Sequence, residues 1–112
     1  MKILRVAEAP LAPNPHGVEV RRLQETPHVM ASLVTLQPGE SLKRHVTPVD
    51  VFFYVLEGHG IVEIGEERAE VEPHMVVDSP ARIPHRLRNE GTATFRFLVV
   101  KTPRPTENTQ IL

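Results

Sequence analysis

Eleven prolines are spread along this 112-residue chain, at Pro10, Pro13, Pro15, Pro27, Pro38, Pro48, Pro73, Pro80, Pro84, Pro103 and Pro105. Proline cannot donate a backbone hydrogen bond, and its ring clashes with the preceding helical turn, so long helices do not fit between them. Short extended pieces do. The intervals are rich in valine and bounded by Pro or Gly, the pattern of strands in a sandwich or barrel. Val, Leu, Ile and Phe make up 34 of the 112 residues. Disordered chains hold less than roughly 20% of these, so a packed core is expected.

Ten segments read as strands: 2–8, 18–24, 28–36, 42–46, 51–57, 60–64, 68–71, 75–78, 85–88 and 94–101. Residues 11–17 read as a Pro/Asn/Gly loop. The turn Gly58-His59-Gly60 predicts a hairpin between 51–57 and 60–64. Residues 1–112 read as a single domain, with 103–112 an extended tail that is mobile unless it crosses to a partner.

Several function classes are disfavoured. A net charge of −1 argues against a nucleic-acid grip built on bulk charge and against a polybasic membrane patch. The longest apolar run, residues 51–56, is six residues long, whereas a membrane helix needs about 20. No long apolar stretch follows the first charged residues, so no secretory signal is read and a cytoplasmic location is expected. The absence of cysteine removes disulfides, thiolate zinc sites and cysteine nucleophiles.

Two segments resemble the two motifs of the cupin superfamily: PGESLKRHVTPVDVFFYVLEG at 38–58 and GEERAEVEPHMVVDSPARIPHRLRN at 65–89. In the first motif a Gly is followed after five residues by a His, then by a second His, a Glu and a closing Gly. Here Gly39, His45 and Gly58 match. In the second, a Pro, a His and an Asn recur at the spacing of Pro73, His85 and Asn89. The resemblance implies an all-β double-stranded β-helix, a cupin-like jelly-roll barrel with a ligand pocket at one mouth. It also implies a homodimer. Phe52 and Tyr54, large groups on the outer side of the 51–57 strand, would supply the partner surface.

The departures from the motif bear on function. Cupins hold a metal on the two His and the Glu of the first motif and the His of the second. His45 and His85 match two of these four positions, but Thr47 and Val51 replace the others. A neutral hydroxyl is a poor transition-metal ligand beside imidazole, and three protein ligands are usual for a catalytic zinc. A divalent transition metal (zinc, manganese, iron or nickel) would rest weakly on His45 and His85. Asp50 adjoins the lost Glu position but alternation aims it outward, unless a bulge near Pro48 turns it. His74, at the turn after Pro73, is the other candidate replacement.

Alternation from His45 and His85 puts Thr47, Leu87 and Asn89 on the inner face, and alternation from the lost Glu position of the motif adds Val51, Phe53 and Val55. Comparison with family members adds His28, Met30, Ser32 and Val34, and Phe95 and Phe97 on the last strand. Ser32, Thr47, Val51, Phe53 and Phe97 form the expected substrate pocket, apolar walls with a few polar points. For Phe53, Val55, Met30 and Phe97 the role of core filler is favoured, since small barrels are packed inside. His28 is expected near the pocket mouth by the same comparison, while His16 and His59 carry no assigned role. Arg86 and Arg88 read as an outer face paired with Glu63, Glu67, Glu70 or Glu72. Two readings stay open: a small-molecule site with a weakly held metal, its reaction and catalytic residues unassigned, or a metal-free, non-catalytic binding or sensing module.

Overall fold

The proline-bounded segments become ten strands in the computed structural model, which describes all 112 residues. They are β1 (Glu19–Glu25), β2 (Met30–Leu36), β3 (His45–Val46), β4 (Asp50–Glu57), β5 (Gly60–Ile64), β6 (Glu67–Val71), β7 (Val76–Ser79), β8 (His85–Arg88), β9 (Phe95–Thr102) and β10 (Gln110–Ile111). Two five-stranded antiparallel sheets result, ordered β1-β2-β9-β4-β7 and β10-β3-β8-β5-β6. This is the all-β, double-stranded β-helix that the sequence implies. The only helical turn is a 3-10 turn at Val6–Glu8, and no helix is long and apolar enough to cross a membrane.

Three local expectations are corrected. Residues 2–8 are not a strand. The free edge of β1 is taken by residues 10–12, through Arg22 N–H to Pro10 O and Ala12 N–H to Val20 O, and Pro10 has no N–H to extend the pairing. The hairpin between β4 and β5 does not form: β4 pairs with β9 and β7, whereas β5 pairs with β6 and β8. β4 is apolar on both faces and takes a central position, and the chain crosses between sheets at Gly58, whose φ is +76°. The tail returns to the barrel, where β10 pairs with β3 and the Leu112 N–H donates to Arg44 O.

Register divides the interior of the first sheet into transverse rows. Leu36 faces Phe95, and above them Val20, Val34, Phe97 and Val55 lie side by side. Next come Arg22, Ser32, Val99, Phe53 and Val77, then Met30, Lys101, Val51 and Ser79. The lower rows are a solid plug: Leu36, Val55, Leu87, Phe95 and Phe97 are all fully buried. Burying each such side chain contributes about 1.5–3 kcal/mol, so this end holds the fold. Asn89, also buried, seals it by donating to Leu36 O and Ala93 O and accepting from the Gly91 N–H.

The outer faces differ in character. On the second sheet Glu63 lies opposite Arg86 and bonds it at 2.9 Å, with Arg88 at 3.0 Å. On the first sheet Phe52 and Tyr54 lie beside Val100 and Leu98, half-buried, with Val76 59% exposed next to Tyr54.

Gly58 and Gly17 both have positive φ, but a Cβ at 58 would overlap the Thr94 carbonyl, while one at 17 meets nothing within 4 Å. Gly17→Ala should therefore cost about 1–2 kcal/mol from backbone strain alone. Gly58→Ala should cost roughly 1–3 kcal/mol more from the overlap. Denaturant unfolding of the two variants measures this, and equal costs would mean that the Thr94 contact is not tight.

Candidate functional site

Above the plug the interior turns polar. β3 and β8 place His45 and His85 directly opposite one another, with ring centroids 4.4 Å apart and nearly perpendicular. Both are buried. Their tautomers follow from their partners. His45 Nδ1 lies 2.6 Å from Lys43 O, and a carbonyl can only accept, so Nδ1 carries the proton and Nε2 presents a lone pair. His85 Nε2–H donates to that lone pair at 3.0 Å. His85 Nδ1 then accepts from the Ser79 hydroxyl at 2.6 Å. Thr47 Oγ1, 3.2 Å from His85 Nε2, shares the same N–H. Ser79 belongs to the first sheet and His85 to the second, so this chain of hydrogen bonds ties the layers together across the mouth.

A cavity of about 190 Å³ opens over the pair. Its apolar walls include Val51, Phe53 and Val99, and its polar points include Ser32, Thr47, His45 and His85. The loop at 12–16 forms one side. Asn14 shapes that loop, donating to Ala12 O and Val18 O and accepting from the His16 N–H. The Lys43 N–H donates to His16 Nδ1 at 2.9 Å, which leaves the His16 proton on Nε2. The His16 ring packs 4.7 Å from His45, so three imidazoles stand in a row. Thr109, just before β10, closes another side.

Of the expected pocket residues, Ser32, Thr47, Val51 and Phe53 line the cavity. Phe97 does not: it lies one row deeper, fully buried against Phe95 and Phe53. His28 precedes β2 in a turn and is exposed rather than inward. Neither candidate replacement ligand reaches the cavity. Asp50 is exposed and accepts from the Ala81 N–H, and His74 bonds the Tyr54 hydroxyl on the outer face at 3.0 Å. Among the wall residues that the sequence analysis does not place there, His16, Arg22 and Lys101 are the titratable ones. Alternation carried two residues on from Val20 and from Val99 finds Arg22 and Lys101. His16 sits in a loop, where no period exists to follow.

The model of the cupin domain matches residues 32–101. The chain belongs to the cupin family. Among relatives, the uncharacterized protein MJ1618 of Methanocaldococcus jannaschii is 31% identical over 72 residues, covering 63% of this chain but only 57% of that protein. The crystal structure of TT1209 from Thermus thermophilus is 36% identical, covering 94% of this cupin and 100% of that chain, with a TM-score of 0.80. The polyketide cyclase RemF from Streptomyces resistomycificus shares the fold, with 20% identity, 100% and 85% coverage of the two chains, and a TM-score of 0.86.

The residues of this cupin do not fit the metal that the motif implies. No group of three or more His, Asp or Glu side chains is placed to hold an ion. Val51 has no donor atom, and Thr47 offers only a neutral hydroxyl, 3.2 Å from His85 Nε2. Burial pushes His85 down to about 3, helped by the positive charge of His45, Lys101 and His16 when protonated. Burial likewise pushes His16 to about 4, with His45, Lys43 and Lys101 adding to it. His45 is lowered by burial, partly offset by its bond to the Lys43 carbonyl.

These three histidines are neutral in the fold at pH 7, whereas an unperturbed imidazole titrates near 6.5. Below 6.5 the unfolded chain binds more protons than the folded one. Stability should fall with falling pH, by up to about 1.4 kcal/mol per pH unit for each such group. We expect a melting temperature that is flat above pH 7 and drops from about 6.5 toward 4, with a shallower drop in His85→Gln. Thermal melts across that range test this, and equal slopes would mean that His85 titrates alike in both states.

Proposed function

We propose that this cupin binds a small organic molecule at the barrel mouth, in the cavity above the histidine pair. The observation that carries the reading is the closed chain Ser79–His85–His45–Lys43 O at the base of a cavity with apolar walls. Every ring nitrogen in it is already assigned a partner, so the pair is stable without an ion. The competing reading, a divalent transition metal on His45 and His85, draws on the 3.0 Å convergence of the two Nε2 atoms. It requires the proton between them to leave and a third donor to arrive.

Protein purified without chelator should carry far less than one metal ion per chain by elemental mass spectrometry. Thr47→His combined with Val51→Glu restores the missing donors on the cavity wall and should raise occupancy toward one ion per chain. Adding His85→Ala to that double variant should abolish it. Stoichiometric metal in the wild type, lost in His45→Ala with His85→Ala, would sink the metal-free reading.

We further propose that the partner is a second copy, docked on the outer face of the first sheet at Phe52, Tyr54, Leu98 and Val100. These half-buried side chains are contiguous by register and carry no charge. Sedimentation should give a dimer, shifted to monomer by Tyr54→Lys with Leu98→Lys. An unshifted dimer would place the contact elsewhere.

A further inference from the structure

The cavity wall is rich in groups that can donate a hydrogen bond. The wall includes Arg22, Lys101, three histidines, Ser32, Thr47, Asn14 and Thr109, but no Asp or Glu. With the histidines neutral, its formal charge comes from Arg22 and Lys101. Arg22 Nε donates to Ser32 Oγ at 3.0 Å, and its Nη1 reaches Glu25 at the exposed rim, 3.3 Å away. Lys101 faces inward in the row with Met30 and Val51, and no carboxylate pairs with it. Burial and the neighbouring Arg22 both hold the Lys101 amine below its usual range, the mark of a cation placed without a counter-charge. Arg22 and Lys101 against Glu25 leave one positive charge unmatched.

Further donors converge on the same space. Thr47 and Ser32 each accept a bond through oxygen, which leaves their hydroxyl protons free. His16 Nε2–H has no protein acceptor. A site built of spare donors and one uncompensated cation is complementary to an anionic acceptor. Size narrows the class. An apolar cavity of about 150 Å³ accommodates benzene, and this one is about 190 Å³, room for a small ring or branched chain with one charged group.

We propose that the ligand is a small monocarboxylate, with its carboxylate held between Arg22 and Lys101 and its apolar body against Val51, Phe53 and Val99. The inference rests on reading the cavity as a ligand site, and its test separates the two. Benzoate and 3-methylbutanoate are compared with their uncharged amides, benzamide and 3-methylbutanamide, and with inorganic phosphate. Each is titrated into isotope-labelled full-length protein and followed by the amide resonances of Ser32, Val51 and Val99.

The carboxylates should shift these resonances with affinities at least tenfold above those of the amides. Lys101→Met and Arg22→Met should each weaken carboxylate binding tenfold or more and narrow that preference. Lys101→Met should also melt no lower than the wild type without ligand, because it removes an unpaired cation, so a failed fold is not the expected cause of lost binding. Amides binding as well as carboxylates would overturn the anion inference and leave the cavity reading standing. Phosphate binding more tightly than either carboxylate would overturn the monocarboxylate class. If none of the five compounds shifts the cavity resonances, both the inference and the reading beneath it fall.

Discussion

Two imidazoles in contact inside a barrel are tolerable only while neither carries a charge, and only while their polar atoms find partners. His45 and His85 meet both conditions through one directional chain, from the Ser79 hydroxyl through the two rings to the Lys43 carbonyl. Each link dictates the next. The carbonyl fixes the His45 proton, which fixes the lone pair offered to His85, which fixes what Ser79 must donate. Because Ser79 and His85 lie in opposite sheets, the chain also sets how the two layers meet at the mouth. A buried network of this kind is stable when every member is satisfied and costly when one is not.

The barrel can place such a network at one end because the other end supplies the stability. Leu36, Phe95, Phe97, Val55 and Leu87 fill the lower rows without a gap for solvent. Gly60 belongs to the same packing, since the ring of Phe95 occupies the space a Cβ would need. The upper rows then take residues that a core would reject: Arg22, Lys101 and the histidines. The division is along the strands, so a single strand such as β9 contributes Phe95 and Phe97 to the plug and Val99 and Lys101 to the cavity.

Much of this was legible in the sequence, through one rule. The period of two sorts β4 into Val51, Phe53 and Val55 inside and Phe52 and Tyr54 outside, and the cupin motifs supplied the phase. The same rule reaches Arg22 and Lys101, but a charged residue on a strand is easily taken as solvent-facing, and depth along the barrel is not encoded in alternation. That is why Phe97, correctly inward, lies below the cavity and not on its wall. The Gly58 turn is ambiguous for a related reason: a Gly-X-Gly turn between two strands is compatible with a hairpin and with a crossing between sheets, and only the partners of β4 decide. His16 was out of reach, because its position depends on the Asn14 hydrogen bonds and on a bond from the distant Lys43 N–H.

The segment before β1 and the segment after β9 meet at the same opening, the first through residues 12–16 and the second through Thr109. Neither carries the packing of the plug. The part of the molecule that shapes the opening is thus separable from the part that keeps it folded. A lineage could exchange these two flaps, altering the size and polarity of the entrance, while the sandwich beneath stayed as it is. Diversification in such a protein would be written at the margins of the barrel, with its strands serving as a constant mount.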